Sequence, residues 1–244
     1  MKYRGAALVL FLLLAAKAGA GPLEDYVRAP DPHYRYSLAN VFPGDGYVAY
    51  VLDLTTQSWR EGYVRPHIWQ HWLTVIKPDR LVFDGGLLFI TGGDNKHTRP
   101  PNSAPKELAM IATTTRSVVA ELQGVPSEPV VFRDENRQRT EDEIISYTYD
   151  KYLDTGDPAW PLLLPMVKSA VRAMDAVQSF MGKDLDPPHP IERFVLTGAS
   201  KRGWTTWLTA AVDRRVVAIA PCVFDVLNLG PQMKRQIEYY GRYS

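Results

Sequence analysis

The chain has 244 residues, 45% of them hydrophobic and 23% charged, with a formal net charge of +1. That suits one globular domain or part of a larger one. So neutral a balance speaks against a nucleic-acid-binding surface.

The first residues read as a secretory signal. Lys2 and Arg4 form a short basic region, Gly5 to Ala16 is an apolar run too short to cross a bilayer, and Ala18-Gly19-Ala20 supplies small residues for cleavage. A membrane anchor or a buried N-terminal helix are the other readings. Removing residues 1–20 takes away Lys2, Arg4 and Lys17 and leaves a slightly acidic chain with no span. Cys222 is the only cysteine, so no intramolecular disulfide is possible. Its apolar surroundings, Val216 to Phe224, read as a buried thiol.

Residues 21–46, rich in Pro, Asp and Tyr, show no sustained period and are expected to be an irregular arm. Tyr47 to Leu54 and Trp69 to Ile76 alternate as strands and are expected to pair antiparallel. Gly85 to Gly93 is a continuous apolar run between paired glycines, as for a strand buried on both faces. Apolar positions from Leu108 to Leu122 recur at helical spacing, with Ser103 as the cap and Gly124 as the stop. Glu128 to Phe132 reads as a short strand, and Arg133 to Asp157 as a charged excursion over the sheet, with a lid as one possibility. A second helix is expected from Pro165 to Gly182. Arg193 to Thr197 and Val216 to Ala220 are further buried strands flanking a helix that carries Trp204, Trp207, Leu208 and Ala211 on one side. This alternation predicts an α/β fold with a mostly parallel sheet flanked by helices. With the early antiparallel pair it is expected to be of the α/β-hydrolase type, truncated after about its sixth strand, with residues 47–244 as the partial domain and Val216–Ala220 as a bare edge.

The functional signal lies in Thr197-Gly198-Ala199-Ser200-Lys201-Arg202-Gly203. A serine at a sharp strand-to-helix turn needs small neighbours, because side chains two before it and two or three after it would strike the flanking elements. Gly198 and Gly203 meet that need. The commoner pentapeptide has its second glycine where Arg202 stands, so the spacing is a variant. Ser200 is therefore the candidate nucleophile, with a plain helix cap as the alternative. The Lys201 backbone N–H at the helix start is the first candidate oxyanion donor. Gly92 and Gly93, after the expected third strand, are either the second donor loop or a tight turn. Asp225 is the candidate acid, or else the cap of a short helix. The Lys201 and Arg202 side chains either favour a carboxylate-bearing substrate or are a solvated helix start.

No base is evident. In an α/β-hydrolase the order is serine, acid, histidine, yet all five histidines precede Ser200 and 44 residues follow it. His67 and His71 have a spacing that suits two metal ligands on a helix, but they lie in a stretch that reads as strand with no carboxylate nearby. No metal is therefore expected, and no cofactor. His97 follows the glycine loop and is the one histidine expected near the elbow, with a surface-loop role as the other reading.

Several stretches together resemble the PhoPQ-activated pathogenicity-related protein family, which includes secreted autocrine proliferation repressor proteins. They are Ala49 to Trp59, His71 to Val75, Tyr149 to Pro158, Leu162 to Lys168 and Phe194 to Trp207. The serine turn also resembles that of glucuronoyl esterases in its glycine spacing and in the basic residue that follows. The family resemblance implies an α/β-hydrolase fold, a secreted protein, and Ser200 at the nucleophile position. Family members are longer and continue into further strands and a histidine loop. Two functions follow as expectations. One is a secreted serine hydrolase acting on an ester or amide in a small-molecule or peptide substrate. The other is a non-catalytic secreted signalling protein on a hydrolase scaffold, with a cell-surface receptor as partner.

Overall fold

The computed structural model describes residues 21–96, 99–224 and 228–241. The expected signal segment, His97 and Asp225 lie outside them. In chain order the elements are α1 (Pro22–Arg28), β1 (Arg35–Gly44), β2 (Tyr47–Ser58), β3 (Val64–Arg65), β4 (Ile68–Pro78) and β5 (Gly85–Ile90). Then come α2 (Lys106–Thr115), β6 (Val118–Leu122), β7 (Val130–Phe132), β8 (Gln138–Arg139), α3 (Asp142–Thr155) and α4 (Leu163–Ser179). A short π-helical turn, Phe180–Asp184, extends α4 before β9 (Arg193–Ala199), α5 (Lys201–Val212), β10 (Val216–Cys222) and α6 (Leu229–Tyr240). Among the described residues no helix is long and apolar enough to cross a membrane.

Seven strands form the main sheet in the order β1-β2-β4-β6-β5-β9-β10. The β1/β2, β2/β4 and β4/β6 pairs are antiparallel, whereas β6/β5, β5/β9 and β9/β10 are parallel. This is the mixed, mostly wound α/β sheet expected from the sequence. The period of two explains how it is clothed, since alternate side chains take opposite faces. Leu52, Leu54, Leu88, Ile90, Ala120, Leu122 and Leu196 join the cluster that holds Met166, Val167, Ala170, Met174 and Val177 of α4. On the opposite face, Ala49, Ile76 and Val119 pack with Leu108 and Ala112 of α2. Each fully buried large apolar side chain contributes about 1.5–3 kcal/mol over an exposed one, so α4, buried almost all round, anchors the first face.

Four sequence expectations give way. Residues 21–46 are not irregular: they form α1 and the ten-residue β1. The alternation of β1 is hidden by a register shift between Leu38 and Asn40, and its side chains are mostly exposed along the sheet edge. The single helix read from Leu108 to Leu122 is two elements. Arg116, at φ 55°, ψ 37°, ends α2 in the left-handed region, and Val118–Leu122 becomes a strand buried on both faces, whose run mimics helical spacing. The helix starts also differ: Pro105, not Ser103, precedes α2, and α4 begins two residues before Pro165. Finally, Cys222 is exposed, because β10 is the outermost strand.

The strand expected near Glu128–Phe132 does not join the main sheet. As β7 it pairs with β3 and β8 in a separate three-stranded sheet. The charged excursion 133–157 contains β8 and α3, and α3 buries Ile144, Tyr147 and Thr148.

Candidate active site

The strand order reverses around β5, with β6 on one side and β9 on the other. Ligands of open α/β sheets bind at the carboxyl ends of the strands at such a switch point. Ser200 stands there, at the end of β9, exposed to solvent. Its backbone is at φ 58°, ψ −125°, a conformation that non-glycine residues rarely adopt. The Ser200 N–H donates to the Cys222 carbonyl at 3.0 Å, and its own carbonyl accepts from Trp204 N–H at 3.1 Å. Contact geometry accounts for both flanking glycines. A Cβ on Gly198 would lie 2.8 Å from Arg202 Cβ and 2.9 Å from the Arg202 carbonyl carbon. One on Gly203 would lie 2.8 Å from the Cys222 carbonyl oxygen and 3.0 Å from Phe224 Cβ. The serine is thus held on a strained turn that packs α5 tightly against β9 and β10. Lys201 is the first residue of α5, so its N–H is one of the helix-start donors without an intrahelical acceptor.

The side chains after the serine are not where the sequence suggested. Lys201 and Arg202 are buried, at 4% and 8% exposure, rather than lining a site mouth. Lys201 Nζ donates to Glu141 and sits 3.0 Å from Asp142 Oδ1. Arg202 forks onto Glu141, with Nη2 3.0 Å from Oε1 and Nη1 3.3 Å from Oε2. Its Nε donates to the Val125 carbonyl. Glu128 receives the Glu141 backbone N–H at 2.6 Å and lies 4.0 Å from Arg202. Burial pulls both cations below their ordinary range and lifts Glu128 above the usual carboxylate range, outweighing the pull of Arg202 and Lys201. With their charges met by Glu141, Asp142 and Glu128, these cations are not a free receptor for a substrate carboxylate.

Gly92 belongs to this cluster. A Cβ there would stand 2.6 Å from Arg202 Nη2, so the absence of a side chain makes room for the guanidinium. Gly93, at φ 131°, turns the chain beside Gly124. A cavity of about 640 Å³ opens next to this loop, lined among others by Gln70, Thr91, Gly93, Glu121, Gln123 and Ser127. These residues come from β4, from the loop after β5, and from β6 and the loop that follows it. Since neighbouring strands are about 4.8 Å apart, the cavity begins roughly one strand's width from the strand that carries Ser200. Glu121 accepts from Thr91 Oγ1 at 3.3 Å and Gln123 Nε2 at 2.9 Å, and burial raises its pKa. The Ser127 hydroxyl is buried without a hydrogen-bond partner.

Three histidines are occupied by the scaffold. His33 pairs with Asp31 at 3.1 Å and His67 with Ser58 Oγ at 2.9 Å. His71 contacts the Gln123 carbonyl through Nδ1 at 2.9 Å and Ser169 Oγ through Nε2 at 3.2 Å. A carbonyl only accepts, so Nδ1 carries the proton and Nε2 accepts from the serine. The structure brings Ser200, Lys201 and, through Arg202, Gly92 together. Sequence reasoning missed Glu128 and Glu141. The one available signal was Arg202, a large cation in a position where the commoner pattern needs a glycine.

The fold is that of an α/β-hydrolase scaffold. Its overall path matches acetyl xylan esterase 1 from Thermoanaerobacterium, with a TM-score of 0.52 at 14% identity over 89% of this chain and 64% of that one. An acetyl xylan esterase from Paenibacillus matches similarly, with a TM-score of 0.50 at 14% identity over 89% of this chain and 65% of that one. At that identity the likeness speaks for the fold alone. The sequence goes further. Residues 23–244 match the model of the PhoPQ-activated pathogenicity-related protein family, and the chain belongs to that family. It is also 37% identical over 238 residues to autocrine proliferation repressor protein A of Dictyostelium discoideum, covering 97% of this chain and 48% of that protein. The chain thus spans about half the length of the curated relative it matches.

Proposed function

We propose that this protein is a secreted serine hydrolase acting on an ester or amide. The observation that carries the reading is Ser200, strained at φ 58° between β9 and α5 and flanked by two glycines that contact geometry requires. In this reaction Ser200 Oγ attacks the substrate carbonyl carbon, and its proton passes to a base contributed from outside the described residues. The carbonyl π electrons move onto oxygen, where the Lys201 N–H and the Gly92–Gly93 loop hold the developing charge. The polar cavity beside the loop receives the substrate's remainder, a small molecule or a peptide end. Secretion is supported by the basic, apolar and small-residue succession of residues 1–20.

A second reading has its own support. The chain is 37% identical to a protein named as a proliferation repressor, and three of its five histidines are held by scaffold groups. On that reading it is a non-catalytic signal for a cell-surface receptor. One experiment separates the two. The full-length protein is collected from the medium of expressing cells and treated with a fluorophosphonate probe. The hydrolase reading expects covalent labelling that disappears in Ser200→Ala. A protein that remains in the cells removes the secretion proposal. An unlabelled secreted protein that represses growth equally well with Ser200→Ala removes the hydrolase reading and leaves the signal.

A further inference from the structure

Glu141 has the same unusual backbone as Ser200. Its φ and ψ are 53° and −130°, against 58° and −125° for the serine, and each residue immediately precedes a helix. A non-glycine residue in such a conformation is strained, and these conformations gather at functional sites. Here the bend aims a half-exposed carboxylate at the first two residues after the nucleophile. The Arg202–Glu141 contact is a two-pronged fork, the stronger and more directional form of an ion pair.

The same guanidinium reaches the loop proposed to hold the oxyanion. Nε donates to Val125, and Nη2 fills the space that a side chain on Gly92 would take. Residues 91–92 and 124–125 are laced together, because Gly124 N–H donates to Gly92 O and Val125 N–H to Thr91 O, both at 3.0 Å. Arg202 therefore bridges the elbow helix and that laced pair of segments. Glu141, from the charged excursion, fixes the bridge from behind, and Glu128 holds the Glu141 backbone at 2.6 Å. A cluster that only fastened the excursion to the sheet needs neither a glycine at position 92 nor contact with both halves of the oxyanion site.

We infer that Arg202 and Glu141 are a positioning pair, which sets the distance between the Lys201 N–H on the elbow and the Gly92–Gly93 loop and so forms the oxyanion hole of the proposed reaction. This rests on the serine-hydrolase reading. It also explains the variant elbow: Arg202 occupies the usual glycine position because it serves as a strut, and Gly203 takes over the close approach to β10.

The test uses the full-length protein, p-nitrophenyl acetate turnover, and the rate of fluorophosphonate labelling at Ser200. A displacement near 1 Å at a reacting centre costs on the order of a hundred-fold in rate. Glu141→Gln and Arg202→Lys are each expected to lower kcat about ten- to a hundred-fold with KM within about two-fold, since the ground-state carbonyl gains little from the hole. The double variant should be no slower than Arg202→Lys alone, because both substitutions break one strut. Thermal midpoints verify folding, and if Arg202→Lys does not fold, Glu141→Gln decides by the same kcat criterion. Undiminished kcat in folded variants of a labelled protein, or losses that multiply independently, overturns this inference and leaves the hydrolase reading standing. An unlabelled parent protein overturns both.

Discussion

Gly203→Ala is expected to cost about 3 kcal/mol of stability, the upper end of what overpacking a tight contact costs. A Cβ there meets three atoms at once: the Cys222 carbonyl oxygen at 2.8 Å, Phe224 Cβ at 3.0 Å and the Gly198 carbonyl oxygen at 3.1 Å. Two are backbone atoms of the strands flanking α5, so no side-chain rotation relieves the clash. α5 has to lift from the sheet, and Trp204 with it, whose ring stacks on Phe224 at 5.0 Å. Gly182→Ala is the internal control, because the nearest atom to its Cβ is 3.8 Å away, an ordinary contact. Urea unfolding of both variants measures the difference. A Gly203→Ala midpoint equal to that of Gly182→Ala would show that α5 is not packed as closely as described.

The second large effect is on acid stability. Burial holds the His71 pKa at about 4, far below its ordinary value of 6.5, despite its hydrogen bond to Gln123. The neutral ring is what the fold accommodates. Above pH 6.5 neither state is protonated at this residue and its contribution is fully present. Between about 6.5 and 4 the unfolded chain takes up a proton that the folded chain refuses, so stability falls as pH falls. Below 4 both states are protonated and the loss levels off. A shift of this size corresponds to roughly 3 kcal/mol. Glu121 and Glu128, raised by burial, act in the opposite sense, because the folded state takes up their protons first as pH falls. Comparison with His71→Asn removes those shared contributions. The asparagine amide can still donate toward Gln123, and the stability gap between parent and variant should close by roughly 3 kcal/mol from pH 7 to pH 4. A gap that does not change with pH would mean that the ring titrates in the fold as it does in the unfolded chain, and a gap that widens toward low pH would mean that the ring is charged in the fold.

What the sequence disclosed follows from the range of the forces involved. The elbow was legible because its glycines answer to atoms within a few residues or on the next strand, and steric exclusion leaves a mark on residue size. The pairing of β2 with β4 was legible because the alternation of their side chains is local. The boundary between α2 and β6 was not. A buried run such as Val118-Val119-Ala120-Glu121-Leu122 satisfies helical and strand spacing alike, and the left-handed turn at Arg116 that separates them uses no glycine. The lone glutamate in that run was a signal, since a charge in a strand buried on both faces asks for a reason, and the structure places it at a cavity. Arg202 stood out in the sequence, but its pairing with Glu141 was out of reach. The two are about sixty residues apart, and the carboxylate comes from a charged stretch with no period, where each acid looks like any other.

The reversal of strand order at β5 separates two duties. The backbone that strains Ser200 belongs to β9, β10 and α5, while the cavity wall belongs to β4, β6 and the loop after β5. The two sets meet at Arg202. Side chains such as Gln70 and Gln123 can therefore be exchanged without disturbing the angles that expose the serine. On the proposed hydrolase reading, substitutions at such side chains retune what the cleft admits, while Gly92, which lines the cavity and makes room for Arg202, also bears on how fast the hydroxyl reacts. On that reading new selectivities can be sampled by point substitution while the turn that bears Ser200 stays as inherited.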